Sequence, residues 1–150
     1  MGLDNIISIY RMLDWNSSIE DQKKGILNAQ KIKDISCFIQ PMDRQFNKSI
    51  WENCAIIISQ RENEELAPYM IPLLEWLQDI NWPGANTISE RLKKMPIDFI
   101  LKPMSYVIMR ASEKEDKEWL YNLRELVNND IFQMLSHDKK RIINSIDSII

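Results

Sequence analysis

The chain has 150 residues, which suits one domain spanning 1–150. Hydrophobic residues make up 45% of it, enough for a real core, and the scarcity of glycine (three against six prolines) disfavours a turn-rich all-β fold. A formal net charge of −3 argues against a sequence-independent grip on nucleic acid, which needs a basic surface.

Helix starts recur along the chain. Ser17-x-x-Glu20 has the form of a capping box, opening a helix that runs to near Lys33. Residues 34–47 read mostly as loop, because Pro41 and the polar run Asp43-Arg44-Gln45 break any pattern. Ser49-x-x-Glu52 is a second capping box, leading into a helix from Trp51 to Gln60. Two stretches, Ile35–Ile39 and Ala55–Ser59, are rich in β-branched residues and fit either short strands or helix. Their place in the repeat favours helix.

Leu66, Tyr69, Met70, Leu73, Leu74, Leu77 and Ile80 form a wide apolar stripe. It predicts one long helix capped by Asn63 and bent at Pro68 and Pro72. Pro83 suits the first turn of a new helix, since proline lacks the amide hydrogen that would go unused there. Ala85, Ile88, Leu92 and Met95 share its apolar face. Ile97–Ala111 is apolar nearly all round, which predicts a central helix covered on both sides. Ser112-x-x-Glu115 is a third capping box, ahead of a helix carrying Trp119, Leu120, Leu123, Leu126 and Val127. Ile142, Ile143, Ile146, Ile149 and Ile150 mark an amphipathic last helix after Ser136. The starts fall about 30–36 residues apart, the period of stacked helical hairpins.

Cys37 and Cys54 are the only cysteines, and both lie in apolar surroundings. They read as free thiols in a cytoplasmic protein. There is no basic leader ahead of an apolar segment and no apolar run of about 20 residues, so neither a signal peptide nor a membrane span is expected.

The run Leu74-Glu75-Trp76-Leu77-Gln78-Asp79-Ile80-Asn81-Trp82-Pro83-Gly84-Ala85 closely resembles the signature of an uncharacterised bacterial family, the domain of unknown function DUF5071. Trp15, the segment Ile19–Gly25 and the segment Trp51–Ala55 resemble its members too, so the likeness covers roughly residues 13–127. The resemblance implies an all-α fold, a compact right-handed stack of HEAT-like helical hairpins. It implies no activity. HEAT repeats carry a basic residue soon after the turn aspartate, whereas here Asp79 is followed by no basic residue before Arg91. A short, irregular stack is therefore expected in place of a long open solenoid.

Chemistry-bearing patterns are few. His137 is the only histidine, so zinc sites and Ser-His-Asp arrangements lack their parts. No nucleotide-binding glycine pattern occurs, and no cofactor or metal is expected. Glu75 and Asp79, four apart, would share one helix face. Asp79 and Asn81 suit hydrogen bonds to the amides of the inter-helix turn. The pairs Lys23-Lys24 and Lys93-Lys94 and the run Lys139-Lys140-Arg141 read as solvated faces, and Glu113–Glu118 as a solvated turn.

Three functions are weighed. The first is a non-enzymatic protein-binding module, either an immunity protein that blocks a bacterial toxin or an adaptor. Its candidate surface is Glu75, Trp76, Gln78, Asp79, Asn81 and Trp82, where acidic and amide groups would meet basic and aromatic anchors of another protein. The second is a HEAT-like nucleic-acid enzyme of the DNA glycosylase type using Trp76, Asp79 and Trp82, which the missing basic excess counts against. The third is a small-molecule binder with a tryptophan-lined pocket. The expectation is the first, with no membrane partner.

Overall fold

The computed structural model describes residues 3–127, with side chains from Asn5 onward. All regular structure among them is helical. In chain order the α-helices are α1 (Leu3–Leu13), α2 (Ile19–Ala29), α3 (Lys48–Ser59), α4 (Asn63–Leu66), α5 (Met70–Glu75), α6 (Ala85–Leu92), α7 (Ile97–Glu113) and α8 (Lys117–Leu126). Short 3₁₀ turns cover Ile35–Phe38, Ala67–Tyr69 and Trp76–Gln78. The two β-branched stretches resolve as helix: one is the first 3₁₀ turn, the other the end of α3. Outside that 3₁₀ turn, residues 34–47 are irregular. The helix expected around Ile142–Ile150 lies outside the described residues.

The helices gather into two compact units. The first holds residues up to Glu62 together with Asn81–Ile88; the second holds Asn63–Ile80 and the residues from Ser89 onward.

In the first unit α2 packs on α1, and α3 packs on both. Close approach depends on Gly25. A Cβ placed there would lie 2.8 Å from Met12 Cβ and 3.0 Å from Leu13 Cδ2. The α2 start also differs from the Ser17 reading. Ser18 is the N-cap, accepting from Asp21 N at 3.0 Å. Ser17 turns its hydroxyl back onto Arg11 O at 2.7 Å, closing the end of α1. Either serine fits the sequence pattern, and the α1–α2 turn decides between them. At α3 the cap is Asn47. Ser49 instead donates to Asp14 Oδ2 at 2.8 Å, tying α3 to the α1–α2 turn.

Three side-chain donors meet backbone carbonyls in this unit. Arg61, 8% exposed, donates to Ala29 O and Ile32 O at 3.0 and 2.7 Å, where α2 ends. A cation suits that place because carbonyls and the negative dipole end meet there. Asn53 donates to Leu13 O at 2.7 Å, and Trp51 Nε1 to Pro41 O at 2.9 Å.

In the second unit the long stripe is not one bent helix. Pro68 and Pro72 lack amide hydrogens, and the chain responds by dividing into α4, a 3₁₀ turn, α5 and a further 3₁₀ turn. The apolar face survives the division: Leu66, Met70, Leu73, Leu74, Trp76 and Leu77 are all buried. Helices α7 and α8 pack on this segment. Trp119 Nε1 donates to Leu74 O at 3.1 Å and Asn122 Nδ2 to Leu77 O at 2.8 Å, tying α8 to carbonyls of the interrupted segment.

Helix α7 is amphipathic, not covered all round. Ile100, Met104, Val107, Ile108 and Ala111 are buried, whereas Tyr106 is 46% exposed. Ser112 belongs to its last turn. Glu115, with φ 53°, takes the left-handed position of a Schellman motif, in which Asp116 N reaches Ala111 O and Glu115 N reaches Ser112 O. Asp116, not Ser112, then caps α8 by accepting from Trp119 N at 3.0 Å.

Two outcomes are expected. Gly25→Ala gains helix propensity but drives a methyl into Met12, so it should destabilise by about 1–3 kcal/mol in chemical denaturation. Trp119→Phe deletes the Nε1 donor together with the pyrrole part of a fully buried indole. The lost hydrogen bond and the void should together cost about 1–3 kcal/mol by the same measurement.

Candidate functional site

Of the six candidate residues, Glu75, Trp76, Gln78 and Asp79 belong to the second unit, and Asn81 and Trp82 to the first. Glu75 ends α5 and is half-buried. Its Oε2 accepts from Arg110 Nη1 at 2.7 Å. The Arg110 guanidinium lies 5.7 Å from the centroid of the Tyr106 ring. That hydrogen bond to Glu75 pushes the Arg110 pKa further above its ordinary value. Glu75 is thus a holder of Arg110, and its charge is already met.

Trp76 is fully enclosed, which removes it from the residues able to touch a partner. It fills the core where the 3₁₀ turn rotates it inward from the edge of the α-helical stripe. Gln78 donates to Glu75 O at 3.0 Å. Asp79 has extended backbone, φ −135° and ψ 108°, so Glu75 and Asp79 do not sit four apart on one helix. The 3₁₀ turn breaks that register.

In the first unit Asn81 is exposed and Trp82 half-buried. The Trp82 ring packs edge-on to Trp51, with centroids 5.9 Å apart and planes at 84°. Pro83 precedes α6 and does not open it. Ala85 N bonds to Trp82 O at 3.0 Å, and Gly84 has φ 86°. Proline second and a positive-φ glycine third are the requirements of a type II turn. Gly84 O then accepts from Ile88 N, and Ala85, Ile88, Leu92 and Met95 are buried as their spacing predicts.

These observations give the Leu74–Ala85 run a structural job in each unit: a buried tryptophan in one, a turn in the other. A family profile described as a domain of unknown function, DUF5071, matches residues 43–149. The chain belongs to DUF5071. The matched span takes in Trp51–Ala55 and the whole Leu74–Ala85 run, while Trp15 and Ile19–Gly25 precede it. No curated protein and no solved structure matches the chain.

Sequence reasoning missed two groupings in this DUF5071 chain. Arg110 meets Glu75 from 35 residues away, and Tyr106, one turn earlier on α7, lies beside its guanidinium. Their only sequence signal is a cation and a tyrosine four apart in one helix. The second grouping is a cleft of about 510 Å³ in the first unit, lined by Ile6, Lys31, Ile32, Lys33, Asp34 and Cys37.

Both thiols are free, Cys54 buried and Cys37 partly so. Burial pushes Cys37 up to about 11, helped by Asp34, and pushes Cys54 higher still. A protonated thiol is a poor nucleophile. Among the described residues no three metal-ligating side chains come together, and no helix is long and apolar enough to cross a membrane. His137 and Lys139-Lys140-Arg141 lie outside the described residues.

Raised thiol pKa values set a pH dependence. The folded chain binds its thiol protons more tightly than the unfolded chain, so this stability is fully present below the ordinary thiol value of 9.0. It is lost as pH rises through the folded value of about 11. Denaturation midpoints should hold steady up to about pH 8 and fall between pH 9 and 11. Replacing both cysteines with alanine should flatten that decline.

Proposed function

We propose that this DUF5071 protein is a non-enzymatic protein-binding module of the cytoplasm, acting as an immunity protein that blocks a basic toxin, through the surface of its second unit. The distribution of charge carries this reading. Through Glu62 and over Asn81–Ile88 acidic and basic side chains balance, eight of each. Residues 63–80 and 89–127 carry eleven acidic against eight basic, and the remaining residues 128–150 balance again. The whole excess of −3 therefore falls on the described part of the second unit.

Contact chemistry supports the same unit. Tyr106 and Tyr121 are exposed by 46% and 54%. Arg110 is held between Tyr106 and Glu75, so less side-chain entropy is lost when it meets a partner. Tyrosine and arginine are the side chains that concentrate binding energy at protein interfaces, and acidic surroundings speed encounter with a basic protein.

The test is capture of a partner by the tagged protein, with Tyr106→Ala and Tyr121→Ala alongside. Each tyrosine is exposed, so circular dichroism should not change. Affinity for the captured protein should fall about tenfold or more. Association should slow as salt is raised. An affinity untouched by either variant would move the surface elsewhere. Salt-sensitive binding to duplex DNA with release of a modified base would replace this reading with the glycosylase one.

A further inference from the structure

We propose that the cleft between α1 and the segment following α2 is a binding site for a small organic carboxylate with a short alkyl chain. This site is separate from the protein-binding surface and does not depend on it. Its volume, about 510 Å³, falls within the range of small-molecule sites. Its walls have two chemistries. Ile6 and Ile32 supply alkyl surface, and Ile32 is 6% exposed. The Cys37 thiol adds to that wall as a small, weakly polar group, and its Sγ is turned onto Asp34 O at 3.3 Å.

The rim is cationic. Lys31 and Lys33 are both exposed, and neither ammonium forms an ion pair among the described residues. The one carboxylate lining the cleft, Asp34, also braces its own turn. Its Oδ1 accepts from Ser36 N at 3.0 Å and from Ser36 Oγ at 2.7 Å. Two ammonium groups beside an alkyl wall call for a ligand with an anionic head and an apolar body. Lysines bind as point charges and fix no head-group geometry, so charge decides: beside Asp34 the two lysines leave one net positive charge, which a singly charged head matches better than a doubly charged phosphate. A carboxylate head is the simpler match.

Cys37 supplies the readout. Iodoacetamide labelling at pH 9.5, followed by peptide mass spectrometry, separates Cys37 from the buried Cys54. Saturating hexanoate should slow Cys37 labelling about fivefold or more, by covering the thiol. Hexylammonium and hexanol at the same concentration should leave it unchanged. In the Lys31→Gln, Lys33→Gln double variant the apparent affinity for hexanoate should drop about tenfold. Both lysines are exposed, so the variant should melt like the parent. Equal protection by hexanol, or protection that survives the double variant, would overturn the proposal. So would the absence of hexanoate protection in the parent chain.

Discussion

A packed helix that stops early leaves carbonyls facing the core, and each must find a donor. This protein stops its helices early again and again, and the rest of its architecture answers that fact. Arg61 closes the end of α2, and Asn53 takes the last carbonyl of α1. Trp51 secures Pro41 in the irregular stretch before α3. Trp119 and Asn122 serve the interrupted α5 segment. An unmet buried carbonyl would cost about 1–3 kcal/mol, comparable with a sizeable part of a domain's net stability. These polar and aromatic side chains are therefore structural parts, although their residue types invite a functional reading.

The same constraint shapes the candidate surface. Pro68 and Pro72 divide what would have been one helix, and Glu75 closes the longest α-helical piece left. There its carboxylate meets Arg110, which α7 carries one turn beyond Tyr106. The interrupted segment thus positions a cation and a tyrosine on an otherwise acidic unit. Core and surface roles separate within three neighbours: Trp76 turns in, Glu75 holds an arginine, and Gln78 folds back on the chain.

Apolar periodicity made the helices legible, because burial of one face is a summed property that survives local error. The stripe from Leu66 to Leu77 stayed buried even after its helix broke. Caps were less legible. Ser17, Ser49 and Ser112 each satisfy the capping pattern, yet Ser18, Asn47 and Asp116 do the capping. A hydroxyl one residue away from a helix start has several possible partners, and the tertiary neighbours choose. Pro83 showed the same limit: the dipeptide with Gly84 specifies a turn as strongly as a helix start, and the turn prevailed. The Arg110 grouping and the Lys31–Lys33 cleft were not legible at all. Each needs a residue brought in from elsewhere in the chain, Glu75 for Arg110 and Ile6 for the lysines, and sequence spacing does not show that pairing.

The placement of the five tryptophans has an optical consequence. Trp15, Trp51 and Trp82 belong to the first unit, where Trp15 is 56% exposed and the other two rings interact edge to face. Trp76 and Trp119 belong to the second, both wholly enclosed. Emission at long wavelength therefore comes from one unit and part of the short-wavelength emission from the other. A wavelength-resolved unfolding curve carries two spatial labels without any added dye. Coincident transitions would mean that the units melt as one cooperative body, and split transitions that each has its own stability.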